Sequence, residues 1–488
     1  MKTNKLVLLA VPFGALLVAT VAVPTDARAM CGCMIGPVRN DPREQRTLPN
    51  KSSVVVMMRE GTKTVLSFQN DYHGPPEGFA LVVPVPIVLR REDVRTLDRG
   101  VFARVQAIAA PRLVELWEQN PCPVRMRRGI GGGMAMAAGL DSVAGGGGQA
   151  AVTVEAQFAV GEYDIVVLGA AESTALEQWL QQNHYAVPSG VSDALGPYVQ
   201  AGMKFFVARV DPRRMQGEFL TPLRVQFDSE QFSLPVRLGL YNSTGEQDLA
   251  IHILAPAQRY EMANYGNMMV PTDIRLAPQA ARSFATFYSA FFSRLSRRYP
   301  RRVMTEFAGP IAGSRTGAEC LGCGLPRLSQ ADLNALGEEV LPGHTAENAT
   351  ARYRSFVLTR LHYRYGRADL PDDLVFRAAR PVQGGNRSAG RPGAAATVRR
   401  GATSDFRTRF IVKHYWGGAT CANPRRGQWG GQPGWGFNDD ISNVLGAPRG
   451  DNATPDAQAP VITDPRRIPL ERWIQSAVPQ LGIAPPPP

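Results

Sequence analysis

The sequence predicts an α+β fold, built mainly of antiparallel β-sheet with a few packed helices and stapled by disulfides. Short runs rich in β-branched residues recur along the chain. Four of them, between residues 204 and 254, are spaced by about 13 residues, which favours antiparallel sheet over βαβ units. Gly and Pro contribute 48 and 39 of the 488 residues, a surplus that favours turns and disfavours a helical bundle. The six cysteines are an even number, as expected for a disulfide framework.

Residues 1–29 have the pattern of a signal peptide. Two lysines form a positive start, residues 6–23 are an apolar run, and Ala27-Arg28-Ala29 is the small-x-small pattern that signal peptidase cleaves. We place the cleavage between Ala29 and Met30. Removing three basic groups and one acidic group then lowers the net charge from +12 to +10. The mature protein is therefore expected in the periplasm or outside the cell.

Two alternatives to this processing stay open. The apolar run could remain as an uncleaved membrane anchor, although the polar flank before Ala29 argues against it. A lipoprotein would be modified at Cys31, but the residue before a lipidated cysteine is normally very small and Met30 is not. No later stretch reaches the ~18–20 apolar residues of a membrane span, so no transmembrane segment is predicted in the mature chain.

Residues 30–300 are predicted to form an N-terminal α+β domain. Strands are predicted at residues 52–58, 63–69, 79–85, 152–160, 163–168, 204–210, 223–227, 235–241 and 249–254. Helices are predicted at residues 92–120, with a kink at Pro111, and at residues 173–183 and 279–297. Residues 129–148 are rich in Gly and are interpreted as a flexible insert, because no phosphate-loop motif fits them.

The helix at residues 173–183 predicts one specific contact. Leu176, Trp179 and Leu180 share one face of this helix. The strand just before it needs a cover for its apolar side, and a short loop would fold the helix back onto that strand. We therefore expect Trp179 to be buried against Val166 or Leu168.

Residues 301–444 are predicted to be a C-terminal β-rich region. Ser329 and Asp332 form a capping box before a short helix. Strands are predicted at residues 354–365, 374–377 and 408–416. The remaining residues, 445–488, are predicted to be a disordered, Pro-rich tail.

A Trp/Gly-rich loop in this C-terminal region combines aromatic and acidic side chains. Asp439-Asp440 follows Trp429 and Trp435. Aromatic rings with carboxylates on a loop can bind sugars or Ca²⁺. A loop stapled by its own Trp side chains is the simpler interpretation, and we prefer it.

All six cysteines lie in the mature chain, at Cys31, Cys33, Cys122, Cys320, Cys323 and Cys421. In an exported protein they predict three structural disulfides, with fifteen pairings open. Cys320 and Cys323 form a C-x-x-C, which we interpret as a local disulfide. A thioredoxin-like pair would need Cys320 at a helix N-terminus, and a zinc site would need further ligands nearby. Cys122 and Cys421 are expected to tie distant segments back to the N-terminus.

Charge and motifs argue against several function classes. The basic residues are nearly all Arg and are spread along the chain rather than clustered with aromatics, so nucleic-acid binding is not predicted. Attraction to anionic lipid or to an envelope polysaccharide is compatible with this charge. The chain has no H-E-x-x-H, G-x-S-x-G or S-x-x-K motif. We therefore predict no catalytic residue, no cofactor and no metal ligand.

Several segments carry a resemblance to a known family. They are Cys31-Gly32-Cys33, the GPPEGFALVVPVP run at residues 74–86, residues 160–188, the later LTRLHYRY and DLVFRAA segments, and the W-G-G…C-x-x-P stretch from Trp416 to Pro424. In these segments the chain resembles the bacterial family called domain of unknown function 2330. The resemblance spans most of residues 31–430 and implies architecture and export, since no activity is known for the family. The Gly-rich insert and the lack of a visible C-terminal membrane segment are departures from it.

Three functions are compatible with these observations. The leading hypothesis is a non-catalytic exported protein of the envelope or extracellular space that binds a partner or the matrix. An envelope hydrolase with a dispersed active site is one alternative, and it would need convergent titratable groups in a cleft. A thiol oxidoreductase at Cys320 and Cys323 is the other, and it would need one exposed thiol of low pKa.

Overall fold

The computed structural model describes residues 33–35, 53–70, 79–122, 153–185, 187, 190–215, 219–242, 245–312, 327–385, 398–418, 421–430 and 463–484. The first strands in these ranges are β1 (Cys33–Ile35), β2 (Ser53–Glu60), β3 (Lys63–Asn70), β4 (Ala80–Val85), β5 (Val94–Thr96), β6 (Arg112–Glu118), β7 (Thr153–Val160), β8 (Tyr163–Gly169), β9 (Lys204–Val210), β10 (Leu223–Asp228), β11 (Ser233–Leu234) and β12 (Gln247–Pro256).

The later strands are β13 (Arg259–Met262), β14 (Gly266–Met269), β15 (Ile274–Leu276), β16 (Arg302–Pro310), β17 (Phe356–Tyr365), β18 (Leu374–Ala379), β19 (Val382–Gly384), β20 (Arg399–Arg400), β21 (Asp405–Arg407), β22 (Arg409–His414) and β23 (Trp429–Gly430). The α-helices of the described residues are α1 (Arg99–Ala109), α2 (Ser173–Gln182), α3 (Val191–Gln200), α4 (Phe284–Arg298), α5 (Gln330–Leu336), α6 (Ala349–Ser355) and α7 (Leu470–Trp473). The predicted α+β class, with mainly antiparallel sheet, is confirmed.

Two β-sheets stack at the centre of the molecule. One is antiparallel, with the strand order β1-β4-β9-β8-β7. The other has eleven strands in the order β20-β19-β21-β16-β17-β12-β2-β3-β10-β5, with β14 also paired to β16. It is mixed, because β12 runs parallel to β2. Alternate side chains of both sheets, such as Val55, Ile251, Val83, Ile165 and Phe206, form the largest core between them.

Helices cover the outer faces of the two sheets. Leu176 of α2 and Leu195 of α3 pack with Phe205 on the outer face of the smaller sheet. Phe102 of α1 packs with Leu254 on the outer face of the larger sheet, and α5 joins the same core. The result is four layers, helix on sheet on sheet on helix, in which each apolar face is covered by the next layer.

Helix α4 links the large sheet to a smaller one. That sheet has the order β15-β22-β6-β23, and Phe410 of β22 points from it toward α4. The ring of Phe410 lies 5.4 Å from Phe287 and 5.2 Å from Phe291, in edge-to-face arrangements. Trp473 of α7 closes the other side of Phe287, with ring centroids 6.3 Å apart. The aromatic face of α4 is thus a core face.

The helix predicted over residues 92–120 is wrong at both ends. Val94–Thr96 is the strand β5, and α1 begins only at Arg99. α1 ends at Ala109, and Arg112–Glu118 is the strand β6. Ala110 precedes Pro111 and is extended, with φ −61° and ψ 147°, as residues before proline prefer. β6 then pairs in parallel with β22, a partner about 300 residues later that local periodicity does not reveal.

Two further expectations need correction. Residues 235–241 do not form a strand; Arg237–Asn242 is a 3₁₀ helix. The disordered tail predicted over residues 445–488 is wrong for residues 463–484. There, Leu470, Ile474 and Leu481 are buried in the core beneath α4. Burial of these apolar side chains stabilises an ordered segment, although prolines are frequent around it.

The contact predicted for Trp179 is found in part. Leu176 and Leu180 are buried, and Trp179 packs against the same cluster, to which Val166 and Leu168 belong, but stays partly exposed.

The large sheet contains strands from both sides of the predicted boundary near residue 300. Its strands β12 and β16 lie on either side of that boundary, and both pair with β17. The sheet therefore joins the two regions that the sequence separates.

Candidate functional site

A buried network of charged side chains lies between α4 and the large sheet. Glu306 of β16 is fully buried. Its Oε2 accepts from Arg360 Nε at 2.5 Å, and its Oε1 lies 2.7 Å from His362 Nδ1. The hydroxyl of Tyr288 also donates to Oε1. Burial raises the pKa of Glu306, but Arg360 and His362 outweigh it and lower that pKa to about 2.

The network continues to a second carboxylate. His362 Nε2 lies 3.3 Å from Asp248 Oδ1, and Arg364 donates to Asp248 Oδ1 at 2.8 Å and to Oδ2 at 2.5 Å. Burial lowers the pKa of His362, but Glu306 and Asp248 raise it by more. The imidazole stacks on Phe292 at 3.6 Å. Because each carboxylate is engaged by cations and both imidazole nitrogens face carboxylates, this is a closed ion network suited to fixing α4 on the sheet.

A second charged cluster ties the segment after α5 to β2. Glu338 is fully buried, and it accepts from Arg352 Nε at 2.6 Å and lies 2.8 Å from His344 Nδ1. The same guanidinium reaches Glu60 at the end of β2, with NH1 3.1 Å from Oε1. Because Arg352 bonds to both Glu338 and Glu60, the cluster is a crosslink between elements.

A third group of residues lies at one end of the four-stranded sheet, and it faces solvent. Cys122, just after β6, and Cys421, after β22, form a disulfide with Cα atoms 5.9 Å apart across 299 residues of sequence. The two cysteines pair with each other and not with the N-terminal cysteines, which corrects the expected pairing. The parallel pairing of β6 with β22 brings the two strand ends to the same edge, and this explains the bond.

Glu118 organises the chain around this disulfide. Its side chain is only 3% exposed, and its oxygens accept from the backbone N–H groups of Gly427 at 2.8 Å and Trp416 at 3.1 Å. Arg426 NH1 donates to it at 3.1 Å. These bonds, that of Gly427 first, lower the pKa of Glu118. One buried carboxylate thus fixes the segments on both sides of the disulfide.

The exposed part of this edge carries aromatic rings and cations. Tyr415 is 69% exposed and meets Trp429 edge to face at 5.1 Å. Lys413 Nζ lies 4.2 Å above the Trp429 ring, a cation–π contact. Arg275 of β15 is exposed and shares the face of Lys413, because Arg275 pairs with Ile411, two positions before it. We name Arg275, Lys413, Tyr415 and Trp429 the aromatic–cation surface.

The opposite face of the same strand ends is anchored to the protein. His414 stacks on Trp117 with ring centroids 4.7 Å apart, and its Nε2 lies 2.8 Å from Glu115 Oε2. Because neighbours on a strand point to opposite faces, this inward anchor leaves Lys413 and Tyr415 pointing outward. The aromatic–cation surface therefore sits on a firmly held backbone.

Three of the residues singled out in the sequence, Cys122, Cys421 and Trp429, lie at this edge. Cys33 is in β1, and Cys122 and Cys421 form the disulfide. Outside the described residues lie Ala27, Ala29, Met30, Cys31, Cys320, Cys323, Trp435, Asp439 and Asp440. Sequence reasoning missed Arg275, Lys413 and Tyr415. The sequence feature that could have indicated Lys413 and Tyr415 is the W-G-G stretch beginning at Trp416, just after them.

The described part of the chain lacks two kinds of feature. It contains no group of three or more His, Cys, Asp or Glu side chains arranged to hold a metal ion. None of its helices combines the length and the apolar character that a membrane crossing requires.

Comparison with known proteins identifies the family. A family model described as uncharacterized protein conserved in bacteria, DUF2330, matches residues 25–377. No curated protein matches the chain. Among solved structures, a mutated baculovirus P35 after caspase cleavage is similar with a TM-score of 0.25 and 9% sequence identity, over 46% of this chain and 70% of that chain, which is too weak to support an inference. The chain belongs to the bacterial DUF2330 family, as its sequence resemblance predicts.

Proposed function

We propose that this protein is an exported, non-catalytic binding protein of the bacterial envelope or extracellular space, and that its partner binds at the aromatic–cation surface. The observation that carries the proposal is the exposure of Tyr415. Among the described residues the exposed large hydrophobic side chains are Ile87 at 39%, Phe219 at 42% and Tyr415 at 69%. Tyr415 lies edge to face against a second aromatic ring, Trp429, and the ammonium group of Lys413 lies over that second ring.

The backbone under the surface supports the same proposal. The disulfide between Cys122 and Cys421, together with Glu118, fixes the strand ends that carry Tyr415 and Trp429. A binding site whose groups are held before the partner arrives loses less conformational entropy on binding. Tyr and Trp are also the side chains that most often dominate binding energy at interfaces.

The buried ion networks favour binding over catalysis. Glu306, His362 and Glu338 have the residue types of acid–base chemistry, but their charges are satisfied within the protein. A catalytic acid or base needs a substrate within hydrogen-bond reach. We interpret these groups as structural. The hydrolase and the thiol oxidoreductase are kept as alternatives that the following experiment distinguishes.

The experiment is cosedimentation of the mature chain, residues 30–488, with the insoluble envelope fraction of its bacterium. Tyr415→Ser is expected to lower the bound fraction about tenfold, the effect of losing a contact of ~1.4 kcal/mol. Phe219→Ser, which removes another exposed aromatic ring, is the matched control and is expected to bind normally. Equal binding of both variants would place the site elsewhere. Release of soluble fragments, or oxidation of added thiols, would favour the hydrolase or the oxidoreductase.

A further inference from the structure

The aromatic–cation surface contains two neighbouring cations, Lys413 and Arg275. Within the described residues, neither Lys413 nor Arg275 forms an ion pair. They lie on adjacent strands of one sheet face, since Arg275 is opposite Ile411 and Lys413 is two positions further along β22. Burial and the charge of Arg275 together lower the pKa of Lys413. Two like charges placed side by side destabilise the free protein, and an anion bound between them would relieve this repulsion.

The segment that follows Cys421 adds further positive charge at this edge. Arg425 and Arg426 are exposed on it, and the side chain of Arg426 is 47% exposed. The carboxylate next to them, Glu118, is almost fully buried and already accepts three hydrogen bonds. The accessible rim is therefore cationic, and it belongs to a mature chain of predicted net charge +10, which attracts polyanions from a distance.

The aromatic rings favour an anion that also contains a sugar ring. The face of an aromatic ring carries partial negative charge and attracts the polarised C–H bonds on the apolar face of a sugar ring. Tyr415 presents such a ring at a strand end, with Trp429 behind it. Proteins commonly bind a membrane surface through an amphipathic helix with an apolar face, whereas the aromatic–cation surface is built from strands. A sugar that also carries a carboxylate or phosphate uses both the ring and the cations.

We propose that the ligand of the aromatic–cation surface is an acidic polysaccharide, with a sugar ring stacked on Tyr415 and its acidic group between Lys413 and Arg275. This inference rests on the proposed function and names the ligand class of the same site. Charge-assisted hydrogen bonds from Lys and Arg to an anion are stronger than neutral ones, so they supply the preference for acidic over neutral sugars.

The test is affinity electrophoresis of the mature chain in gels that contain polygalacturonate, a carboxylated polysaccharide, or dextran, a neutral one. The native chain is expected to be retarded by polygalacturonate and not by dextran, and the retardation should weaken as salt is added. The double variant Arg275→Gln/Lys413→Gln should weaken binding about tenfold, because two charge-assisted contacts are lost. Arg399→Gln/Arg400→Gln removes the same charge from exposed positions of β20 and should bind normally. Far-UV circular dichroism checks that each variant is folded, and the single exchange Arg275→Gln replaces the double variant if the latter is not.

The outcomes separate this inference from the proposed function. Equal losses in both double variants would mean that net charge alone attracts the polymer, and this overturns the inference. Binding to dextran as strong as to polygalacturonate would overturn it as well. Retardation by neither polymer, or binding only to vesicles of phosphatidylglycerol, overturns the polysaccharide ligand. It leaves the proposed function standing if Tyr415→Ser still lowers cosedimentation with the envelope.

Discussion

His362 joins the fully buried Glu306 to the half-buried Asp248, and its replacement should be costly. His362→Gln leaves the buried Glu306 carboxylate with one cation fewer, a change that typically destabilises by about 3–5 kcal/mol. Urea unfolding at pH 6 measures this loss. His184→Asn, at an exposed position with φ 64° that Asn tolerates, is the control and should stay within about 0.5 kcal/mol of the native chain. A small loss for His362→Gln would contradict the network.

Because of the same residue, the free energy of unfolding should fall in alkaline solution. The folded state holds the pKa of His362 above its ordinary value, so the folded state binds the proton more tightly than the unfolded one. The resulting stabilisation is complete below about pH 6.5, the unfolded pKa, and is lost as the pH rises through the folded pKa. Unfolding free energy measured from pH 6 to 9 should therefore fall less steeply in His362→Gln than in the native chain.

His252 should act in the opposite direction. It is fully buried, and burial lowers its pKa to about 3. Its Nε2 has no hydrogen-bond partner within the described residues. Stability is therefore lost as the pH falls from about 6.5 toward 3, because only the unfolded state gains this proton. His252→Leu removes that loss and should be about 2–3 kcal/mol less sensitive to acid than the native chain between pH 7 and 4.5. Parallel stability curves for the two proteins would show that His252 is not a buried neutral imidazole.

At the scale of elements, the C-terminal segment acts as part of the core. Trp473 is 6% exposed and packs against Phe287 of α4. Trp473→Ala should destabilise by about 3–5 kcal/mol, through lost burial and the cavity left behind. Arg472→Ala, one residue earlier and exposed, should change the unfolding free energy by less than about 0.5 kcal/mol. Equal midpoints for the two variants in thermal unfolding would mean that the segment is only peripheral.

The disulfide between Cys122 and Cys421 crosslinks two strand ends that are distant in sequence. Removing a bond that closes so long a loop typically costs about 2–5 kcal/mol. Cys421→Ser and Cys122→Ser should lower the melting temperature by the same amount, and the double variant by no more than either single one, because one bond is lost in every case. Additive losses would show that the two cysteines have different partners.

The elements that sequence patterns predict well are those with local causes. The hairpin of β2 and β3 follows from two β-branched runs around Gly61, whose φ of 56° suits glycine. The capping box of Ser329 and Asp332 starts α5 as predicted. β6 was misassigned because Arg112–Glu118 has apolar residues compatible with either a helix or a strand. Its parallel partner β22, and not its own sequence, decides between them.

The candidate site was harder to predict than the fold for a related reason. Cysteine counting indicated a disulfide, but pairing depends on which strand ends meet, and β6 and β22 meet only in the folded sheet. Arg275 and Lys413 lie 138 positions apart and share a face through the register of β15 with β22. No spacing rule within one element connects such residues.

For the whole molecule, export is the first property to test. The positive start, apolar run and Ala27-Arg28-Ala29 predict cleavage before Met30. N-terminal sequencing of protein recovered from the periplasm or the medium should begin at Met30, and replacing Ala27 and Ala29 by bulky residues should retain the uncleaved chain. Full-length protein found only in the cytoplasm would contradict both the cleavage and the proposed function.

The long-range pairing of the strands has a consequence for the timing of synthesis. Val54 of β2 pairs with Ala250, and Leu113 of β6 pairs with Phe410, so these contacts close loops of roughly 200 and 300 residues and give the fold a high contact order. A ribosome must therefore make most of the chain before the central sheet can close. A nascent chain that cannot fold early stays unfolded and can pass through a narrow translocation channel. If the chain is exported as its N-terminal sequence predicts, the topology of the sheet would delay folding until the polypeptide has crossed the membrane.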